Sequence, residues 1–325
     1  MKKIHVTEAV GRVLCHDIAR IVIGKVKDTP FRRGHRIEAE DIPLLLDLGK
    51  EHIYVMEAAD EDKIHEEDVA AHLYSLCKND SLRPTPVREG KIEAIAQWDG
   101  MLVIDVPELR RINSIGELTI VTKWHGQAVK AGDKVAGMRC IPLLLERAQW
   151  DEAKAGWSGE PIVKVLPYKR SRVGVVTTGA EVASGRIADA FTPIIKERIA
   201  EYGMSVVAHK IVTDDKAAIE ADIDAVKAEG ADIIFCTGGM SVDPDDLTPG
   251  AIYEKAKEVV TYGLPVLPGS MVCIAYMADG TPLVGLPGGV LFSKPTAFDV
   301  ILPRLASDYK ITKEQCIELG HGGLQ

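Results

Sequence analysis

From residue 173 onward the sequence alternates strand-length apolar runs with helix-length amphipathic segments, and this alternation limits the fold more than any other feature. Residues 173–177, 205–212, 232–236, 272–277 and 282–285 read as strands, and residues 191–202, 216–229, 248–257 and 290–305 read as helices. A strand apolar at consecutive positions must be covered on both faces, because successive side chains point to opposite sides of a sheet. Helices on both faces of a mostly parallel sheet supply that cover, which predicts a doubly wound α/β domain over residues 167–308. Ligands of such sheets sit beyond the carboxyl ends of the strands.

The preceding half is punctuated differently. Residues 1–88 read as an α+β unit broken by Gly24 and Gly34. Within it, 40–49 forms a short helix with acids in its first turn, Pro43 early and Gly49 at its end. Residues 53–55 read as a strand. Residues 61–78 form an amphipathic surface helix that gathers Ile64, Val69, Leu73, Leu76 and Cys77 on one face. Pro84 and Pro86 make 81–86 an extended connector. Residues 89–166 read as a small β-rich unit, with strands at 101–106, 118–122 and 134–138, followed by a linker. Residues 309–325 form a tail.

With 325 residues, 46% of them hydrophobic, the chain builds its core without disulfides or structural metal. A net charge of −9 and the lack of a long Lys/Arg run exclude a nucleic-acid partner. The six cysteines are far apart and read as buried thiols of a reducing compartment. No apolar stretch reaches the roughly 18 residues of a bilayer span, and Glu8 interrupts the amino terminus before a secretory apolar region forms, so the expected location is the cytoplasm.

Three loops that leave strands of the α/β domain are rich in Gly, Thr, Ser and Asp: 177–181, 237–249 and 285–289. Gly238-Gly239 directly after a buried strand permits positive φ and close approach of backbone amides to an anion. Gly288-Gly289 opens the predicted 290–305 helix, whose first amides and dipole favour an anion. A single Gly-Gly pair is an ordinary turn signal, whereas three such loops in one domain point to a site. Asp243, Asp245 and Asp246 would repel a phosphate without a bridging cation. Magnesium suits one or two carboxylates plus phosphate oxygens, and Asp246 is the carboxylate placed to hold it, with Asp243 and Asp245 read as turn residues. His65 and His72 are seven residues apart, not four as in a zinc-protease helix, and read as surface histidines. Cys15-His16-Asp17 alternates faces and forms no local nucleophile set. Ser241 has no signal for an activating base and reads as a loop former or ligand donor.

Taken in order, Thr178-Gly179-Ala180-Glu181-Val182, Gly185-Arg186-Ile187-Ala188-Asp189, Thr213-Asp214-Asp215, Thr237-Gly238-Gly239-Met240-Ser241, Asp246-Leu247-Thr248-Pro249, Leu267-Pro268-Gly269-Ser270 and Gly285-Leu286-Pro287-Gly288 resemble the molybdopterin-binding domain family of molybdenum-cofactor biosynthesis. That family includes the two halves of gephyrin-type proteins, which adenylylate molybdopterin or insert molybdate into the adenylylated form, and the amino-terminal domain of competence-damage inducible proteins. The stretch Gly11 to Ile18 also resembles the start of the molybdate-inserting branch. The resemblance implies that Gly238, Gly239 and Ser241 hold the phosphate or dithiolene end of the pterin, with Thr178, Gly179, Pro268 and Gly269 beside them. It implies that Gly288 and Gly289 complete the cradle, that Asp246 binds Mg2+, and that Asp246, Glu181 and Asp215 form the catalytic set. It further implies a homo-oligomer with a pterin ligand and molybdate or an adenine nucleotide as co-substrate. The chain departs from the inserting branch at Ala180, at Gly289-Val290 and at Asp189-Ala190-Phe191. Three functions stay open: adenylyl-for-molybdate exchange, a non-catalytic molybdopterin carrier or sensor, and hydrolysis of a pyridine nucleotide as in competence-type relatives.

Overall fold

The computed structural model describes every residue except 23–25, 58, 59, 61 and 242. Gly24 as a break, Glu61 as a helix start and Val242 in the second loop therefore lie outside the described residues. The chain divides into two compact units: Met1–Trp98, Leu102–His125 and Val129–Val165 make one, and Asp99–Met101, Gly126–Ala128 and Leu166–Gln325 make the other.

The elements of the first half run β1 (Lys2–His5), β2 (Ile18–Val22), β3 (Val26–Phe31), α1 (Asp41–Asp47), β4 (His52–Val55), β5 (Ile64–His65), α2 (Glu66–Ser75), β6 (Leu82–Pro84), β7 (Lys91–Ala96), β8 (Gly100–Ile104), α3 (Val106–Asn113), β9 (Leu118–Thr122), β10 (Ala128–Val129), β11 (Lys134–Cys140), β12 (Leu144–Leu145), α4 (Arg147–Ala155) and β13 (Val163–Pro167). Three local expectations change here. The helix read over 61–78 begins only at Glu66, because Ile64 and His65 pair in a ladder with Leu145 and Leu144. His65 is not a surface histidine: it is 5% exposed, its Nε2 donates to the Cys15 carbonyl at 2.6 Å, and its Nδ1 accepts from the Glu67 amide as the N-cap of α2. The β-rich stretch and linker contain two helices. Asp105 caps α3 by accepting from Glu108 N, with Pro107 in the first turn, while α4 buries Trp150 and Ala153 three residues apart on one face. All six cysteines are buried and unpaired, and burial pushes the Cys77 thiol up to about 12.

The second unit is the α/β domain. Its strands are β14 (Arg172–Thr178), β15 (Ser205–Val212), β16 (Ile233–Thr237), β17 (Glu258–Tyr262), β18 (Cys273–Tyr276) and β19 (Pro282–Leu286). Its helices are α5 (Ala180–Ala183), α6 (Phe191–Ala200), α7 (Lys216–Ala228), α8 (Thr248–Lys255), α9 (Ala297–Ala306) and α10 (Lys313–Glu318). The six strands order as β15-β14-β16-β19-β18-β17, with the first four parallel and the last two joined antiparallel. Alternation along each central strand feeds two cores. Val173, Val175, Ile233, Phe235, Val284 and Leu286 pack with α6 and α9, while Val176, Ile234, Cys236 and Leu283 pack with α7 and α8. Phe235 and Phe298 meet edge to face at 5.1 Å in the first core. A Cβ on Gly174 would lie 3.0 Å from Val226 and Ala231, so the missing side chain sets how closely α7 approaches the sheet. The doubly wound reading holds.

The last predicted helix starts later than its apolar pattern suggests. Residues 291–296 are not helical, since Pro295 disfavours helix before it, and α9 begins after Thr296. There Thr296 and Asp299 form a capping box. Gly288–Val290 is only a single 3-10 turn, so the pair Gly288-Gly289 has no extended helix behind it. Strand β17 and helices α5 and α10 have no counterpart in the sequence reading. Among the described residues, no helix is long and apolar enough to cross a membrane.

Candidate functional site

After β14 the chain moves to β15 on one side of it, then crosses back to β16 on the other, so the strand order reverses between β14 and β16. A crevice at such a reversal, beyond the carboxyl ends, is where ligands of open α/β sheets bind. The register levels the three exits, with Thr177 opposite Thr237 and Thr237 opposite Leu286. Loops 177–181, 237–249 and 285–289 therefore leave the same edge of the sheet side by side.

The first two loops are in contact. Thr178 is buried, and its Oγ1 lies 3.1 Å from Thr248 Oγ1, which in turn donates to the Gly238 carbonyl at 2.8 Å. Gly238 has φ +83°, and a Cβ there would sit 2.2 Å from the Thr178 carbonyl oxygen. Gly239 has φ +52°, and a Cβ there would lie 3.0 Å from Thr248 Oγ1 and 3.5 Å from Asp246 Oδ1. Only glycine permits this backbone at this distance from the neighbouring loop. Asp246 folds its own loop: Oδ2 accepts from Ser241 N at 3.0 Å and Asp243 N at 3.3 Å. The Ser241 amide is thus committed to that carboxylate, and its carbonyl accepts from the Tyr262 hydroxyl at 3.1 Å.

The third loop packs elsewhere on the same edge. A Cβ on Gly289 would lie 3.3 Å from Gly269 N, and one on Gly269, at φ +100°, would lie 3.2 Å from Val290 and 3.3 Å from Ala297. The Pro268 carbonyl accepts from Ala297 N at 2.9 Å. Gly288 is exposed, with nothing within 4 Å of its Cβ position. Pro268, Gly269, Gly288 and Gly289 therefore form one cluster, and Thr178, Gly179, Gly238, Gly239, Ser241 and Asp246 form another. They are bridged where Met240 fills the space over Gly285.

Two carboxylates fall outside the arrangement expected of them. Asp215 caps α7, its Oδ1 accepting from Ala218 N at 2.8 Å. Its neighbour Asp214 reaches the first loop instead, Oδ2 accepting from Ala180 N at 2.9 Å. Glu181 is exposed on the single-turn α5, with its Oε2 3.9 Å from the Cβ position of Gly179. Asp214 and Thr248 are the residues that sequence reasoning passes over, although both stand in quoted motifs. Nothing in the sequence separates the reach of Asp214 from that of Asp215. Among the described residues, no three His, Cys, Asp or Glu side chains cluster as a metal-ligand set. A cavity of about 230 Å3 lined by Arg170, Tyr276 and Lys310 lies at the opposite end of the sheet, where Tyr276 pairs with Pro282.

Residues 174–307 match the family described as a probable molybdopterin binding domain. The match falls within the α/β unit. Residues 3–57 match a family described only as a domain of unknown function. A CinA-like protein of Mycobacterium sp. (strain MCS) is 39% identical over 82 residues, covering 25% of this chain and 20% of that one. A CinA-like protein of Mycobacterium tuberculosis (strain ATCC 25618 / H37Rv) is 37% identical over 78 residues, 24% of this chain and 18% of the other. The chain thus spans about a fifth of the length of these curated relatives. Among solved structures, the molybdopterin biosynthesis enzyme MoaB from Thermus thermophilus is 26% identical and superposes with a TM-score of 0.37, covering 42% of this chain and 91% of that one.

Beside the first loop, the α/β unit holds a polar network that its apolar strand pattern hides. His209 Nε2 lies 3.1 Å from Thr177 Oγ1, 3.1 Å from Thr192 Oγ1 and 3.3 Å from Asp189 Oδ2. Thr237 Oγ1 donates to Thr177 Oγ1. Asp189 Oδ1 meanwhile accepts from Phe191 N and Thr192 N at the start of α6. Burial alone would push the Asp189 carboxyl up, but hydrogen bonds from Thr192 and the two amides bring it below its ordinary value. Burial draws the His209 pKa below 6.5, with Asp189 opposing. The unfolded chain therefore binds a proton at His209 more readily than the folded one, and stability falls as pH drops from about 6.5 through the lowered folded value. The melting-temperature advantage of the wild type over His209→Gln is expected to be largest near neutrality and to shrink towards pH 5. An advantage constant from pH 7.5 to 5 would remove His209 from the titration.

Proposed function

We propose that the α/β unit seats a phosphate-bearing pterin across the exits of β14, β16 and β19 and takes part in molybdenum-cofactor assembly by exchanging an adenylyl group for molybdate. The supporting observation is the pair Gly238-Gly239, which places two successive positive-φ residues at the strand-order reversal, against Thr178 and Thr248 and beside the Asp246 carboxylate. Backbone amides of such a turn recognise an oxyanion without needing positive side chains, which reconciles an anionic ligand with an acidic chain. Asp246 would hold Mg2+ together with phosphate oxygens of the ligand, where the cation would neutralise developing charge. The residues of the chain position the phosphate, fix the loop through Asp246 and Thr248, and stabilise the oxyanion; no protein nucleophile is required. Homo-oligomerisation, with a neighbouring subunit closing the pocket, belongs to the same proposal.

AMP release from adenylylated molybdopterin, molybdate and Mg2+ is expected for the wild type and to drop about 100-fold or more in Asp246→Ala. Asp246→Asn keeps an oxygen for the amides of Ser241 and Asp243 and separates loss of the carboxylate from loss of the loop. Release that persists in both variants sinks the assignment of Asp246, and tight pterin binding without release makes the unit a carrier. A second reading, implied by the resemblance to competence-damage inducible proteins, is cleavage of a pyridine nucleotide with no pterin present. Incubation with that nucleotide alone decides it.

A further inference from the structure

The carbonyl side of the second loop is held by a residue from another element. Tyr262 ends β17, the edge strand with no counterpart in the sequence reading, 22 residues beyond Met240. Its hydroxyl donates to the Met240 carbonyl at 2.9 Å and to the Ser241 carbonyl at 3.1 Å. Two successive carbonyls turned to one side repel each other, and a hydroxyl proton between them offsets that repulsion. A trans peptide carries its C=O and N–H on opposite edges, so the amide of the Met240–Ser241 peptide points the other way. There Ser241 N donates to Asp246 Oδ2 at 3.0 Å. One peptide plane is thereby gripped from both edges, by a phenol and by a carboxylate. The second carboxylate oxygen, Asp246 Oδ1, lies on the Gly239 side, 3.5 Å from the position of a Cβ there.

The phenol is a well-fixed donor. Tyr262 pairs with Cys273 in the ladder, Gly263 N donates to the Val272 carbonyl at 2.9 Å, and the ring packs against the core beneath α7 and α8. Tyr253 meets it edge to face at 6.5 Å. Burial first, then Cys273, Tyr253 and Asp246, push the phenol above its ordinary value, so it keeps its proton near neutrality. We propose that Tyr262 is a positioning residue of the anion site: its hydroxyl sets the Met240–Ser241 peptide and, through the Ser241 amide, fixes the Asp246 carboxylate beside the Gly238-Gly239 turn. The proposal rests on the pterin-binding reading above and adds the residue that aims Asp246. Without the hydroxyl the peptide can turn over, the Ser241 amide leaves Oδ2, and the carboxylate loses its place.

The full chain, Tyr262→Phe, Asp246→Ala and the double variant are to be titrated with a pterin bearing a phosphate-ester side chain, with Mg2+ present throughout. Tyr262→Phe keeps the ring and its packing and is expected to bind the pterin phosphate about tenfold more weakly. In the Asp246→Ala background the same change is expected to alter the affinity by less than about twofold, since the group it aims is gone. In the ligand-free protein, the Ser241 amide proton resonance is expected to move upfield in Tyr262→Phe as its bond to the carboxylate is lost. Equal pterin affinity in wild type and Tyr262→Phe, or an unmoved Ser241 resonance, overturns the positioning role while leaving the pterin-binding reading intact. A loss of the same size in the Asp246→Ala background assigns the hydroxyl to loop stability alone and likewise overturns the proposal. A wild type that binds no pterin phosphate overturns both readings.

Discussion

Exchanging Arg198 for methionine is expected to cost about 3–5 kcal/mol of unfolding free energy, because it strips the partner from a buried carboxylate instead of removing the pair. The side chains of Arg198 and Asp299 are 7% and 13% exposed, and their N···O distance is 2.7 Å. Without the guanidinium, Asp299 retains the Thr296 amide and hydroxyl as donors, and the Ser293 carbonyl loses the Arg198 bond. Arg198→Met combined with Asp299→Asn should cost clearly less than the two single changes added together, since the uncompensated charge is gone. Hydrogen exchange of peptides from residues 172–306 under urea reads this unit by itself. A single-variant cost below about 1 kcal/mol would assign the pair to an exposed, screened environment that the structure does not have.

Gly238→Ala is the second large effect. The new Cβ would stand 2.2 Å from the Thr178 carbonyl oxygen and 2.7 Å from Thr178 Oγ1, at φ +83°. The obstacle is backbone of a central strand end, which cannot rotate away as a flexible side chain can. Strain at positive φ and overpacking together predict a loss of about 2–4 kcal/mol and a loop displaced from the Asp246 carboxylate. Gly288→Ala is the contrasting control, with open space at its Cβ and an expected stability change within about 0.5 kcal/mol. Paired urea titrations check both, and similar midpoints for the two variants would remove the close approach of the first two loops.

How much of this is legible in the sequence depends on the range of the interaction involved. Residues 173–177 and 232–236 announce themselves as central strands because both faces of each are buried, and Gly238-Gly239 follows directly from position after such a strand. The start of α9 is misread because the apolar residues Val290, Leu291 and Phe292 precede Ala297 and Phe298 closely enough to read as one helix, whereas Thr296 and Asp299 set the boundary by capping. His65 misleads because its burial comes from the Cys15 carbonyl, 50 residues earlier in the chain. Asp214 and Asp215 are indistinguishable as letters, and only the turn into α7 sends one to the helix amides and the other to Ala180.

Local chemistry is enough to specify the sheet-forming segments, the glycines that stand at their exits and the acidic residue that follows them, since periodicity and turn preference act over a few residues. Long-range packing is what sets β14 between β15 and β16, and hence brings Thr178 to Gly238 and lets Thr248 bond its carbonyl. Parallel neighbours are joined by long crossovers, so their pairing is set by burial of both faces of the whole sheet, which no short stretch of chain encodes.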